Sequence, residues 1–228
     1  MRVLSIDTAS RSNTVALAEG DRLLGVQAWE GRDRSLREVV LKVDEVLRGA
    51  GLGLAEMDGF GTGIGPGSWT GVRVGLTVAK MFAYATGRPL CGVSSLETLA
   101  CVGGRGTGLL CPVVEAGRGN VYAAFYRSGS GPVSREGDYY AGGMAGLMSL
   151  VSEPVLFLGE AAEDRRPEIS SGLGSLAAFG RVDGKQIGSA VARIASLRLA
   201  QGESDDTLSL SPLYLGEPLA RALLAGEG

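Results

Sequence analysis

A glycine-rich segment between two apolar stretches is the feature that most constrains how this chain can fold. Residues Gly63 to Gly75 read GIGPGSWTGVRVG, after a short strand-like stretch and at the head of a long apolar one. Glycines between a strand and a helix let backbone N–H groups converge on an anion beside the positive helix end. The segment is not a Walker loop, because no lysine precedes Ser68 or Thr70, and it lacks the dinucleotide spacing. A turn that packs the helix on the sheet, with Ser68 or Thr70 as its N-cap, explains the glycines equally well.

Hydrophobic periodicity predicts alternating strands and helices along the whole chain. In the first hundred residues it predicts strands at 2–7, 13–19, 22–29, 58–64 and 89–93, and helices at 34–48, 71–86 and through residue 100. Ser94 and Glu97 are predicted to form a capping box for the third helix. Beyond residue 103 the pattern predicts strands at 109–115, 121–126, 138–140 and 155–159, and helices at 142–152, 186–199 and 217–224. The stretch 160–185 is predicted to be rich in loops.

The order of these elements predicts an α/β protein with two lobes. Residues 1–103 are assigned to the first lobe and 104–209 to a smaller, degenerate second lobe. A C-terminal helical region of about 210–228 can pack back on the first lobe. No apolar run reaches the length of a membrane span, and the opening residues MRVLSID do not read as a secretory leader. A cytoplasmic protein is therefore expected.

The charge pattern argues against direct binding of nucleic acid. The net charge is −3 and the pI about 5.2, and the 22 basic residues are scattered rather than clustered. Phosphate binding requires clustered Lys and Arg that release counterions. Any tRNA or DNA is therefore expected to be held by a partner.

The chain contains no histidine, which limits its chemistry. Histidine bases, Ser-His and Cys-His pairs and histidine metal ligands are all excluded. Cys91, Cys101 and Cys111 lack the close spacing of a zinc site. Buried, reduced thiols are the expected state, and neither a metal site nor a catalytic residue is predicted.

Asp7 and Thr8 close the first predicted strand and open the polar turn DTASRS. A carboxylate and a hydroxyl at this place can face a metal-bound phosphate. They can equally form side-chain-to-backbone hydrogen bonds that shape a tight turn. The second interpretation is favoured unless another phosphate element accompanies the turn.

These motifs together resemble the bacterial TsaB family, also called YeaZ. The resemblance rests on IDTA at 6–9, GPGSWTGVRVG at 65–75, GVSSLETLA at 92–100 and PLYL at 212–215. It implies an actin-like and sugar-kinase-like (ASKHA) fold, with a mixed β-sheet flanked by helices in each lobe. Asp7 and Thr8, with five residues of the glycine segment, then become a vestigial phosphate or anion site: Gly65, Gly67, Ser68, Thr70 and Arg73.

The resemblance also implies a function and a set of partners. It implies a non-catalytic scaffold or activator of the complex that transfers a threonylcarbamoyl group to the adenosine beside the tRNA anticodon. The implied partners are a TsaD-like catalytic subunit and a TsaE-like ATPase, with a homodimer when the chain is alone. The chain itself is expected to need no cofactor, although ATP or ADP can lie at a subunit interface, and no protease activity is expected. The alternative is a nucleotide-dependent kinase or ATPase that uses Asp7 and the glycine segment.

The resemblance places the partner surface on two helices of the first lobe, those predicted at 34–48 and 71–86. Five apolar side chains on these helices are predicted to contribute, although ordinary core packing explains each of them individually: Val39, Val43, Val78, Met81 and Phe82. The chain departs from the family pattern at Arg34, Gly117, Asn120 and Gly216. No charged role is carried over to those positions.

Overall fold

Two five-stranded mixed sheets frame the structure, a computed structural model that describes residues 1–30, 35–104, 108–129 and 131–215. The first sheet contains β1 (Arg2–Asp7), β2 (Ser12–Glu19), β3 (Arg22–Glu30), β4 (Gly59–Gly65) and β5 (Leu90–Ser94) in the order β3-β2-β1-β4-β5. Its first three strands are antiparallel, and β4 and β5 continue it in parallel with β1.

The second sheet repeats the plan of the first. It contains β6 (Gly108–Gly117), β7 (Asn120–Ser128), β8 (Ser134–Gly143), β9 (Val155–Leu158) and β10 (Ala177–Gly180) in the order β10-β9-β6-β7-β8. Again three consecutive strands are antiparallel and two later strands add in parallel beside the first of them. Two sheets with one shared topology indicate an internally duplicated architecture.

Seven helices are described, and two short 3-10 turns lie at Leu54–Glu56 and Gly174–Leu176. The helices are α1 (Leu36–Gly49), α2 (Trp69–Thr86), α3 (Ser95–Gly103), α4 (Met144–Met148), α5 (Glu160–Asp164), α6 (Arg166–Leu173) and α7 (Gly184–Ala200). No described helix combines the length and the apolar character that a membrane span requires.

The alternation of side chains along β1 divides the core of the first sheet. Leu4 and Ile6 face α1 and α2, whereas Val3 on the opposite face packs against Val191 and Ala195 of α7. Helix α7 falls within the range predicted for the second lobe, yet it packs on the first sheet because its glycines and alanines permit close contact. The two-lobe boundaries themselves remain a prediction.

Helix α3 connects the two sheets. Its side chains Leu96, Leu99 and Ala100 pack against Leu110 and Leu158 of the second sheet. The helix follows β5 directly, so its N-terminus is fixed by the first sheet and its apolar side by the second. The space beside this helix is therefore bounded by both sheets.

Two local predictions are wrong. The capping box does not form: Ser94 is the N-cap, but its hydroxyl makes no cap hydrogen bond, and Glu97 instead binds Arg198 at 2.6 Å. The stretch 160–185 is not rich in loops, because it contains α5, α6 and β10. Elements of four to eight residues show too few periods for the sequence pattern to reveal them.

The first three strands and the helices α1 and α2 match their predicted positions within about two residues. The predicted helix at 217–224, and the departures at Arg34 and Gly216, lie outside the described residues.

Candidate functional site: the glycine segment and the cleft between the sheets

The hydroxyl of Thr8 is fully engaged with α2. Its Oγ1 donates to the carbonyl of Gly71 at 2.6 Å and accepts from the N–H of Gly75 at 3.0 Å. Both contacts tie the β1–β2 turn to the first two turns of α2. The hydroxyl therefore supports the helix and is not presented to a phosphate.

Asp7 is 2% exposed and lies against the glycine segment. Its Oδ1 accepts from the N–H of Ala9 at 2.7 Å, which closes the turn locally. A Cβ on Gly63 would lie 2.6 Å from the carboxyl carbon of Asp7, and one on Gly67 would collide with the carbonyl of Ala9. Close approach of this turn thus requires glycine at both positions.

The other residues of the segment either shape the turn and the start of α2 or lie on the surface. Ser68 is the N-cap of α2, as predicted, and its Oγ accepts from the N–H of Gly71 at 3.2 Å. Gly65 adopts a φ of +89°, a conformation that favours glycine. Thr70 and Arg73 are exposed and do not line the cleft between the sheets.

Arg73 contacts two aromatic side chains and does not face the cleft. Its guanidinium carbon lies 4.0 Å from the centre of the Trp69 ring, and its Nε donates to the Tyr214 hydroxyl at 3.4 Å. The rings of Trp69 and Tyr214 are 4.7 Å apart. These contacts hold the extended segment around Tyr214 to the start of α2.

A cleft of about 450 Å³ opens between the two sheets. Its walls include Leu99, Val114 and Ile187, and Gly67, Ser68 and Trp69 form one edge. Asp7 lies below this space and lines a smaller pocket that continues it. Of the predicted phosphate residues, the fold therefore brings Asp7, Gly67 and Ser68 to the cleft, and leaves Thr8, Gly65, Thr70 and Arg73 away from its lining.

The charges at the cleft are mainly acidic. Arg11 donates through Nη2 to Asp164 at 2.7 Å and its Nε lies 3.1 Å from Glu160. The hydrogen bond to Asp164, with the charge of Glu160, raises the pKa of Arg11 above its ordinary value. Glu115, a fourth charged residue of the lining, pairs with Arg165 at 3.3 Å. An anionic ligand finds no unpaired cation among the described lining residues.

The described residues offer no metal cluster, and the Cys91 thiol is not activated. No group of three or more His, Cys, Asp or Glu side chains in the described part of the chain could hold a metal ion. Burial raises the pKa of Cys91 to about 11, which keeps that thiol protonated and unreactive at neutral pH.

The predicted partner residues divide into four core side chains and one exposed side chain. Val39, Val43, Val78 and Phe82 are buried in the core of the first sheet. They face the sheet because each helix buries one stripe of apolar side chains, so the prediction that they lie on an exposed surface is wrong for these four. Met81, in contrast, is 50% exposed. The outer side of the two helices instead carries Leu36, Val40, Leu41, Met81 and Tyr84.

Comparisons with known proteins agree with this geometry. The sequence model of the family "TsaD: tRNA N6-adenosine threonylcarbamoyltransferase" matches residues 32–149, just over half of the chain. The curated tRNA threonylcarbamoyladenosine biosynthesis protein TsaB of Bacillus subtilis is 31% identical over 179 residues, which covers 77% of this chain and 78% of that protein. This chain belongs to the TsaB family.

Solved structures confirm the fold of this TsaB-family chain. YeaZ from Pseudomonas aeruginosa superposes with a TM-score of 0.77 at 22% identity, over 94% of this chain and 99% of that one. A ROK hexokinase from Thermus thermophilus superposes with a TM-score of 0.56 at 14% identity, over 89% of this chain and all of that one. The predicted ASKHA fold is therefore confirmed.

Several contacts of the site were not predicted from the sequence. Arg11 and Asp164 are 153 positions apart, and no local pattern joins them. Trp69 and Tyr214 were detectable, since each is the aromatic residue of a motif that carries the family resemblance. That the two motifs meet is shown only by the structure, in which the Trp69 and Tyr214 rings are in contact.

Proposed function

We propose that this chain is a non-catalytic scaffold or activator subunit in the synthesis of threonylcarbamoyladenosine in tRNA. It binds a TsaD-like catalytic subunit, which transfers the threonylcarbamoyl group to the adenosine beside the anticodon. Membership of the TsaB family supports the pathway. The observation that carries the scaffold role is the apolar outer side of α1 and α2.

The apolar side chains on the two helices are arranged as a surface that another protein can cover. Leu36 and Val40 are four residues apart on α1, and Met81 and Tyr84 are three apart on α2, so each pair shares one side of its helix. The helices α1 and α2 contact each other, so the two exposed pairs lie on neighbouring helices. Tyr84 is 77% exposed, a large aromatic surface to leave in water.

The chemistry of the glycine segment and the neighbouring turn supports a subunit without its own catalytic step. The Thr8 hydroxyl and the cap hydroxyl of Ser68 serve α2, and the histidines of a metal-using transferase are absent from the sequence. A Ser-His or Cys-His protease mechanism is excluded for the same reason. The features that this fold offers a partner are the shape of its lobes and the outer surface of their helices.

The remaining partners belong to the same proposal and are taken from the resemblance to the family. A TsaE-like ATPase joins the pair, ATP or ADP lies at an interface between subunits rather than in this chain alone, and a homodimer forms when the catalytic subunit is missing. Transfer RNA is held by the partner, since the basic residues of this chain are scattered. A cytoplasmic location fits a protein that acts on tRNA.

The test is assembly and transfer with matched surface variants. Purified chain and TsaD-like subunit are mixed, measured by size-exclusion chromatography with light scattering, and assayed for threonylcarbamoyl transfer to tRNA. Met81→Glu is expected to weaken the heterodimer about 10- to 100-fold and lower transfer accordingly. Leu150→Glu is the control, because Leu150 is equally exposed but follows α4 in the second-sheet region. Transfer that is equally fast without this chain contradicts the proposal.

A nucleotide-dependent kinase or ATPase is the second candidate, and the cleft between the sheets is the observation that favours it. The acidic lining opposes it, because the ion pairs already engage Arg11. Calorimetry with Mg-ATP on the isolated chain decides between the two. Tight binding and turnover that Asp7→Ala abolishes would favour the enzyme.

A further inference from the structure

The charges of the chain are distributed unevenly around α2. The whole chain has 25 acidic and 22 basic residues, yet no aspartate or glutamate occurs between Asp58 and Glu97. The charged residues of that stretch are three cations, Arg73, Lys80 and Arg88. Helix α2 is therefore a positively charged element in a protein whose net charge is negative.

One side of α2 carries exposed side chains along the whole helix. They recur at intervals of three or four residues and therefore share one side, here called the α2 stripe: Trp69, Arg73, Thr77, Met81 and Tyr84. Trp69, at the first position of the helix, is 57% exposed. The α2 stripe thus extends the exposed pair Met81 and Tyr84 as far as the N-terminus of the helix.

Residues 208–214 run beside α2 and widen this surface. The Nζ of Lys80 donates to the carbonyl of Leu208 at 2.9 Å, and the ring of Tyr214 lies 4.7 Å from that of Trp69. The side chains of Leu208 and Tyr214 remain exposed, Leu208 at 78%. A partner that covers the α2 stripe therefore also meets apolar side chains from outside α1 and α2.

Arg73 keeps an unneutralised charge on the α2 stripe. Its guanidinium group lies on the Trp69 ring and its Nε donates to the Tyr214 hydroxyl. These contacts orient the cation but supply no negative charge. A carboxylate that approaches from outside finds a positioned guanidinium group.

Arg88 provides a second cation at the other end of α2. It lines an open groove of about 680 Å³, together with Asp205 and Asp206. Those carboxylates accept from the N–H groups of Gly92 and Ser209, each at 2.7 Å, and no described carboxylate forms a salt bridge with Arg88. Fifteen positions separate Arg88 from Arg73, which is about 22 Å at the rise of an α-helix.

These side chains fit a protein surface better than a nucleic acid. Tryptophan, tyrosine and arginine are the residue types that contribute most binding energy at protein interfaces. Phosphates require clustered cations, whereas Arg73 and Arg88 are far apart and Asp205 and Asp206 lie beside the second of them. Separated cations around an apolar centre instead match carboxylates on a folded partner.

Given the heterodimer of the proposed function, on which this step rests, we propose that the catalytic partner presents an acidic and apolar surface to the α2 stripe. The apolar centre of that surface covers Met81 and Tyr84, and its carboxylates pair with Arg73 and Arg88. The interface continues onto Tyr214, so it includes residues beyond the two helices.

The test measures the affinity of the full chain for the purified TsaD-like subunit by biolayer interferometry. Arg88→Gln is expected to weaken binding about five- to tenfold at 0.1 M NaCl and about twofold or less at 1 M, because the Debye length falls from about 10 Å to about 3 Å. Arg118→Gln is the matched control, since Arg118 is an exposed arginine in the turn between β6 and β7 and its loss changes the net charge equally. Tyr214→Ala is expected to weaken binding about tenfold at both salt concentrations, through faster dissociation.

The possible outcomes separate this inference from the scaffold role. Equal effects of Arg88→Gln and Arg118→Gln, in a heterodimer that Met81→Glu weakens, would refute the acidic partner surface and leave the scaffold role intact. Failure of the unmodified chain to bind the TsaD-like subunit would overturn both. Binding of tRNA to the isolated chain, weakened by Arg88→Gln, would identify nucleic acid as the occupant and would also refute the acidic partner surface.

Discussion

Two neighbouring residues of α2 are expected to respond in opposite ways to the same substitution. Phe82 is 8% exposed, and its ring centre lies 6.1 Å from that of the fully buried Phe60. Met81 is half exposed on the outer side of the helix. Phe82→Glu is expected to unfold the protein, whereas Met81→Glu is expected to leave it folded and to weaken partner binding.

The magnitudes follow from burial. Removing a buried phenylalanine side chain costs about 3–5 kcal/mol of the free energy of unfolding, and placing a carboxylate in the vacated space costs several more. The free energy of unfolding of a domain of this size is only about 5–15 kcal/mol, so Phe82→Glu is expected to remove most or all of it. Met81→Glu changes the free energy of unfolding by about 0.5 kcal/mol or less, as exposed substitutions do.

The assay is urea unfolding followed by circular dichroism, at two protein concentrations so that dissociation of a dimer is separated from unfolding. Phe82→Ala provides a graded reference, with a melting temperature about 6–20 °C below that of the unmodified protein. A folded Phe82→Glu protein with a melting temperature within about 2 °C of the unmodified one would refute the assignment of Phe82 to the core.

Three further predictions concern the glycine segment and the thiols. Thr8→Val should lower the free energy of unfolding by about 1–3 kcal/mol in urea melts, whereas Thr8→Ser should restore most of it, because the two hydrogen bonds need only the hydroxyl. Gly63→Ala should lower the free energy of unfolding by about 1–3 kcal/mol, whereas Gly49→Ala should not, because the space around its Cβ position is open. Equal effects of the two substitutions would contradict the packing explanation. Iodoacetamide at pH 8 should label Cys101 and spare Cys91, because the pKa of Cys91, about 11, leaves only about one Cys91 side chain in a thousand as thiolate. Mass spectrometry of peptides checks the pattern.

The local elements were predictable because their signals lie within a few residues of one another. Helix α2 was predicted at 71–86 and spans Trp69–Thr86, and its end is set by Gly87, which adopts the left-handed conformation with φ of +63°. The first strand was predicted with its observed bounds. Alternation, caps and stop signals are properties of the chain itself, so they can be read without knowledge of the fold.

The direction of α2 side chains was not predictable in the same way. The helix is apolar on several sides, since one side packs on the sheet, another on α1, and a third is exposed. Periodicity cannot say which apolar side faces outward, and Phe82 was chosen for the surface instead of Tyr84. The ion pair between Glu97 and Arg198 joins residues 101 positions apart, so the false capping box could not be recognised locally either.

The glycine segment joins the turn after β1 to the helix α2. Its glycines at 63, 67 and 75 leave room for the turn of Asp7, Thr8 and Ala9, and the hydroxyl of Thr8 binds α2 at two points. Contacts of this kind fix the position of α2 relative to β1, because any larger side chain would push the two apart. A motif that resembles a phosphate loop therefore fixes the position of α2. The outer side of this helix carries Met81 and Tyr84. The position of that outer side therefore depends on the same packing.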